Sequence, residues 1–353
     1  MPVVRVASDP GFAAAVADSV AADLDGSATR DGDVLTVDQV AIPLPPVQSG
    51  SPDLDTWASL LGHTGGSEDI LTVCVSEIPR RVRSRPVLAE IVGPSMVVVY
   101  VPSFGTHRVA PRARAVTLAA LEALRDATGV DRPDPATGLA HWSTVSGHDA
   151  LVAPALLGRA RVVAGMIRTN RPWRLMPTLS GALAAATATS AFGLFYSSIW
   201  QMAASMSIVR LSAVSATALV AVTTWLIVPN GLWERRARRE RGFDRTMYNL
   251  ATLGTVVSGV AVMYAVLFAV VGAAAAVVIS PSFLSEQIGR AANLSDYVRL
   301  AWLSASLGTV AGAVGSTVAD REQILRATFG HREVLRRRAA AGRLDDTQDH
   351  VDS

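Results

Sequence analysis

Four long apolar stretches constrain this chain more than any other feature in it. A helix needs about 20 residues to cross the hydrocarbon core of a bilayer, and the sequence offers such runs at 178–200, 208–228, 250–279 and 298–318. The second carries one charge, Arg210, near its start, and the fourth has Arg299 at its edge. The third is uncharged over more residues than a bilayer requires, so it is expected to tilt or to extend beyond the apolar core. Half of the 353 residues are hydrophobic, ordinary for a partly membrane-embedded chain and high for a soluble one.

The arginines orient these stretches. The segment before the first span holds Arg159, Arg161, Arg168, Arg171 and Arg174 and no acid. The link between the second and third spans reads LWERRARRERGFDR, with Arg235, Arg236, Arg238, Arg239, Arg241 and Arg245, and the tail after the fourth is arginine-rich from Arg321 to Arg343. The other two links contain between them only Arg290. Arginine is retained on the cytoplasmic side of a membrane. One orientation satisfies every segment: both termini inside, four spans and two short outer loops, in a plasma (inner) membrane. The first residues, MPVVRVASDPGF, lack the charged start and apolar core of a signal peptide, so the front of the chain is expected in the cytosol.

On this reading the arginine run is basic because of topology. It also puts Arg235, Arg236, Arg238, Arg239 and Arg241 within reach of anionic lipid headgroups, an attraction worth about 1 kcal/mol per residue near the surface. Nucleic acid is not expected as a partner: Trp233 and Phe243 flank the run, but no recognition module surrounds it. There is no lysine, and abundant Ala and Val accompany the Arg, a pattern of GC-rich coding. Charge divides by halves. Residues 1–150 carry 11 Arg against 18 acids, a net −7, and residues 151–353 carry 21 Arg against 12 acids, a net +9.

The spans carry small residues at helical spacing: Gly181, Ala185, Thr189 and Gly193 in the first, Gly254 and Ser258 in the third, and Ser304, Gly308, Gly312 and Ser316 in the fourth. Such rows let helix backbones approach closely. Gly181, Gly193, Gly308 and Gly312 are therefore helix-packing candidates, within one bundle or, alternatively, between copies in a homo-oligomer. Trp200, Trp225, Trp233 and Trp302 lie near predicted span ends, as interfacial anchors do. No Asp, Glu, His or Lys falls in the apolar core of a span, which weighs against an ion or proton pathway.

Residues 1–130 alternate between strand and helix patterns. Residues 3–7, 34–44, 69–75, 86–92 and 96–102 read as strands, the last two joined by Gly93-Pro94-Ser95 as a hairpin. Helices are expected after Pro10 to about Ala22, over 56–62, and over 112–127. DRPDPATG at 131–138 reads as a hinge, followed by a helix from about Asp149 to Ile167 that leads to the membrane. The expected fold class is thus an α/β (or α+β) N-terminal cytosolic domain, a hinge and basic juxtamembrane helix over 131–176, an α-helical four-span bundle over 177–319, and a basic tail over 320–353.

No dinucleotide fingerprint, P-loop, nucleophile elbow or H-E-x-x-H appears, so no cofactor and no metal are expected. In SEIPRRVRSRP, Glu77, Arg80, Arg81, Arg83 and Arg85 follow a strand, where α/β proteins place ligands. The four arginines are the candidate anion or partner surface, with a solvated loop as the plainer alternative. His141 and His148 lack a third ligand for zinc. Cys74 sits mid-strand, as a small core residue does.

The order of VCVSEIPRRVRSRPV, a strand pair, VPSFG and a basic helix, with NRPWRLMPTLSGALAAATATSAFGL, the LWER loop, MYNLATL and DYVRLAWLSASLGTVAGAVGS, resembles a family of uncharacterised actinobacterial four-span membrane proteins over nearly the whole chain. These motifs identify relatives rather than chemistry. Such proteins sometimes carry a methylenetetrahydrofolate dehydrogenase label, for which no nucleotide fingerprint stands here. The soluble domain's layout is also similar to that of a zincin metalloprotease. In 121-LEALRDATG-129, Glu122 matches that family's general base, but Leu121 and Arg125 stand where its histidine ligands belong, which removes the zinc. The residues lead to a non-enzymatic binding, sensor or scaffold protein whose cytosolic domain meets a protein partner or ligand. A small-molecule or lipid transporter and an enzyme with a cryptic cytosolic site are the alternatives.

Overall fold

The computed structural model describes residues 3–9, 11–27, 34–39, 47–48, 51–52, 70–82, 85–125, 140–145, 147–155, 158–174, 180–233 and 242–315. The expected helix over 56–62, the hinge at 131–138, Arg83, the arginines from 235 to 241 and the tail from 320 lie outside these residues. The described chain forms two compact units: 3–171 with 242–251, and 172–233 with 252–315.

The first unit is a mixed α/β sheet domain. Strand β1 (Val3–Ser8) leads into helix α1 (Phe12–Leu24), and β2 (Thr36–Gln39) returns parallel to β1. On the other side of β1 lies β3 (Ile70–Ser76), also parallel. Then come β4 (Arg85–Val92) and β5 (Met96–Tyr100), an antiparallel pair whose second strand runs parallel to β3. Gly93, at φ 63°, makes the turn between them. A 3-10 turn (Val101–Phe104) and helix α2 (Val109–Arg125) follow. A hairpin of β6 (His141–Val145) and β7 (His148–Val152) closes the order β2-β1-β3-β5-β4-β7-β6, and the short strand Arg81–Val82 pairs with β4 off this path.

Burial explains the order. β5 is buried at every position and β3 over its last four residues, the continuous apolar pattern of strands covered on both faces. The edge strand β2 is largely exposed and reads TVDQ, polar enough to discourage pairing with another chain. Helix α1 presents Ala13, Val16, Ala17, Val20, Ala21 and Leu24 to the core, one face at the 3.6-residue period. Helix α2 contributes Val109, Ala113, Val116, Ala120 and Leu121, which share one cluster with the α1 face and with Val4, Val73 and Val97 of the sheet.

One stretch departs from the sequence expectation. Residues 148–152, expected to begin a helix, are strand β7, and helix α3 starts only at Gly158 and ends at Thr169. Ala150, Leu151 and Val152 are buried against β4 and β6. Sheet pairing outweighs the weak helical preference of an Ala-Leu-Val run.

The second unit is helical. Among the described residues, Ile208–Ile227 and Arg245–Val278 are long and apolar enough to cross a membrane. A third candidate exists only as a bent pair, α4 (Ser180–Phe195) and α5 (Ser197–Ser205), which meet at 87°. The sequence expectation of one straight helix over 178–200 is thereby corrected. Tyr196 takes an extended backbone (φ −104°, ψ 108°), and the Trp200 indole N–H donates to the Gly193 carbonyl at 2.9 Å, satisfying a group the helix end leaves orphaned. Helix α6 (Ile208–Ile227) is capped by Ser207, whose Oγ accepts from the Arg210 amide. Helix α7 (Gly242–Val278) starts before the expected 250, and its residues from 252 belong to the second unit. The short α8 (Pro281–Ile288) and α9 (Leu294–Gly315) complete it.

Candidate functional site

The carboxyl ends of β1 and β3 bring Asp9, Ser76 and Glu77 together. From β1 the chain crosses through α1 to β2 on one side, whereas β3 lies on the other and leads away toward β4. The crevice between β1 and β3 is therefore a topological switch point, the position at which open α/β sheets bind ligands. Asp9 directly follows β1 and is 3% exposed. Its Oδ2 accepts from the Ser76 hydroxyl at 2.9 Å and from the Glu77 amide at 2.7 Å. The Glu77 carboxylate then reaches back to the start of α1, where Oε1 accepts from the amides of Phe12 (2.6 Å) and Ala13 (3.0 Å). A helix start exposes unpaired N–H groups and a partial positive charge, and here a carboxylate from the neighbouring strand fills it.

Burial pushes the Glu77 carboxyl up to about 7, with the nearby Asp9 charge acting in the same sense. The two amide bonds and the charge of Arg171 oppose the rise without cancelling it. Arg171 donates to the Gly11 carbonyl at 2.8 Å, and the Arg168 and Arg171 guanidiniums lie 5.0 and 5.9 Å from the centre of the Phe12 ring. Gly11, at φ 127°, admits this arrangement: a Cβ there would fall 2.6 Å from Glu77 Oε1.

Beyond β5, helix α3 packs on the turn from Val101 to Thr106. A Cβ on Gly165 would lie 2.1 Å from the Pro102 carbonyl oxygen, so only glycine allows this approach. It brings Arg161 and Arg168, two turns apart on one helix face, onto the turn. Arg168 donates to the Thr106 carbonyl, and Arg112 at the start of α2 donates to that of Phe104 at 3.5 Å. Among the described residues, Nε and Nη2 of Arg161 and Nε of Arg168 are buried without hydrogen-bond partners. Burial, and then the charge of Arg112, lower the pKa of Arg161.

The described loop arginines do not converge. Arg80 turns inward and its Nε sits 3.3 Å from Oε2 of Glu90, which is fully buried and also accepts from the Tyr100 hydroxyl at 3.0 Å. Burial first, and the Glu90 charge second, raise the Tyr100 hydroxyl well above its ordinary pKa. Arg81 lies in the two-residue strand against β4, while the exposed Arg85 meets His141 Nε2 at 2.7 Å. His141 and His148 belong to facing strands of one hairpin. Among the described residues no three His, Cys, Asp or Glu gather as a metal site. Leu121 is in the core. The sequence singles out Glu77 but not Asp9, Arg112, Arg161 or Arg168 as partners in one domain. The signal for Asp9 is an acid between a strand and a helix start, in ASDPGF.

In the helical unit, three of the four predicted glycines are close-packed. A Cβ on Gly308 would fall 2.5 Å from the Ala186 carbonyl oxygen, and one on Gly312 2.5 Å from that of Ala182. One on Gly193 would meet Ser304 Oγ, whereas Gly181 has none of the described residues within 4 Å of that position. Ser190 Oγ donates to the Ser304 carbonyl at 3.0 Å across the same contact. Farther along, Ser215, Tyr264 and Ser306 join hydroxyls at 2.9–3.1 Å, and the Trp302 indole N–H donates to Ser215 at 2.6 Å. Compared with family models, curated proteins and solved structures, the chain has no significant match.

Proposed function

We propose that this chain is an integral inner-membrane protein with four spans and cytoplasmic termini, whose front domain is a non-enzymatic binding or sensor module. The resemblance to actinobacterial four-span proteins agrees with that assignment. The observation that carries it is one chain joining an α/β sheet domain to helices of membrane-crossing length. The bent pair α4–α5 and α9 supply the remaining two spans, and the arginine-rich link and tail stay on the cytoplasmic face, against anionic lipid headgroups.

The non-enzymatic reading draws support from the switch point. In nucleotide-dependent α/β enzymes a phosphate sits at the helix start. Here Glu77 fills that seat, which argues against the dehydrogenase label. A transport role has less support, because the polar groups of the helical unit hydrogen-bond one another across helices and so tie the bundle together.

A cysteine-accessibility map tests the topology. Cys74, the single cysteine, is replaced by Ala, and new cysteines are placed at Glu234, Gln287 and Ser353. In intact cells an impermeant thiol reagent should label position 287 and leave 234 and 353 unlabelled. Labelling of position 234 from outside would reverse the orientation and remove the cytosolic role of the front domain.

A further inference from the structure

We propose that the turn from Val101 to Thr106, with Arg112, Arg161 and Arg168 gathered over it, is a binding site for a phosphate-bearing anion. The inference deepens the binding reading above and rests on it. Helix α3 carries no acid, reading GRARVVAGMIRT. Arg161 is half-buried, and among the described residues its Nε and Nη2 find no acceptor. Arg112 stands close enough to lower the Arg161 pKa through like charge, although desolvation acts more strongly. Unpaired buried donors and adjacent like charges each cost stability. They persist here because the backbone forces them together: Gly165 sets α3 against Pro102, and Gly105, at φ 78°, leaves the space that the Arg161 side chain crosses.

An anion resolves both costs at once. A guanidinium offers a planar fork of donors that matches phosphate oxygens bidentately. Arg112 and Arg168 are each steadied by a backbone carbonyl, at Phe104 and Thr106, with further N–H groups remaining. Guanidiniums that approach the turn from two elements, α2 and α3, suit a dianionic phosphate group better than a carboxylate, which one guanidinium satisfies. The phosphate can come from a soluble phosphate ester or from a lipid headgroup. The second source is attractive because α3 precedes the first apolar stretch by only a short segment.

The test uses the full-length protein. In neutral detergent, its thermal midpoint is followed against inorganic pyrophosphate, with sodium chloride at matched ionic strength as control. In parallel, the protein is reconstituted into phosphatidylcholine vesicles with and without phosphatidylglycerol. A midpoint raised by pyrophosphate indicates a soluble phosphate source, and one raised only by phosphatidylglycerol indicates a lipid. Arg161→Met should abolish the response, or weaken apparent affinity by about tenfold or more, in keeping with the loss of a charge-assisted bidentate contact. Without any anion, R161M should be as stable as the parent or more so, since the substitution removes a strained charge. Arg112→Gln provides a second variant should R161M fold poorly. A parent protein that responds to neither anion beyond its control overturns the proposal, as does R161M or R112Q with the full response. Neither result touches the cysteine map, so the site and the membrane assignment fail separately.

Discussion

Glu77, the residue after β3, holds the start of α1 through the amide of Phe12, 65 residues earlier in sequence, accepting its hydrogen bond at 2.6 Å. The contact fastens β3 to the helix that follows β1, across the switch point. The same carboxylate is buried beside Asp9, so it is charged at some cost. An acid whose pKa in the fold lies above its ordinary value stabilises most when protonated. Its contribution is full below the unfolded pKa of 4.5 and is lost as pH rises through about 7. A shift of this size corresponds to roughly 3 kcal/mol.

Glu77→Gln should therefore flatten the pH dependence of stability between about pH 5 and 8, because the amide oxygen still accepts from α1 without carrying charge. Glu77→Ala should destabilise by about 1–2 kcal/mol at low pH through loss of the cap. Cys74 supplies the measurement: it is the single cysteine and is 1% exposed, so its thiol-labelling rate in denaturant, corrected for intrinsic thiol ionisation, reports opening of the sheet domain. An unchanged pH slope in E77Q would remove Glu77 as its source.

Arg80 and Arg85, five residues apart, should behave oppositely. Arg80→Ala strands the fully buried Glu90 carboxylate and should cost about 3 kcal/mol or more. The double variant Arg80→Ala/Glu90→Gln should recover part of that loss, since the unpaired charge is the larger penalty. Arg85→Ala removes an exposed side chain and should change stability by about 1 kcal/mol or less. Equal effects of R80A and R85A on Cys74 labelling would contradict the inward placement of Arg80.

The contrast marks where the sequence is legible. A short β-branched apolar run such as MVVVY, bounded by turn residues, reads as a covered strand, and the β4–β5 hairpin follows from Gly93-Pro94-Ser95. Residues 148–152 mislead because their composition suits a helix as well as a strand, and the choice is made by β4, more than fifty residues earlier. The destinations of the arginines are hidden for a related reason. Glu90 sits in an apolar strand with nothing local to show that it needs a cation, so Arg80 reads as solvent-facing. Arg112, Arg161 and Arg168 are brought together only by strand order and by the glycine contact of α3, and Asp9 meets Glu77 only through the pairing of β1 with β3. None of these is a local property.

Tyr264 shares its hydroxyl with Ser215 and Ser306, so Tyr264→Phe removes hydrogen bonds between α6, α7 and α9 while leaving the ring in place. Interhelical hydrogen bonds in membrane proteins average about 0.6 kcal/mol, and the two serines can still bond each other. The thermal midpoint in detergent should therefore fall only slightly. A collapse of the fold in Y264F would assign the network a larger role than mutual satisfaction.

Gly308 and Gly181 separate packing within the bundle from packing between copies. A Cβ at 308 would press 2.5 Å from a backbone carbonyl of α4, which cannot rotate away, whereas one at 181 meets none of the described residues. Gly308→Ala should thus destabilise the detergent-solubilised protein by about 1–3 kcal/mol, the usual cost of overpacking. Gly181→Ala should be neutral or slightly stabilising, since Ala is the better helix former. Thermal unfolding of the two variants checks this directly. A destabilised G181A together with a lowered apparent mass in cross-linking would place a second copy of the chain against the Gly181 face.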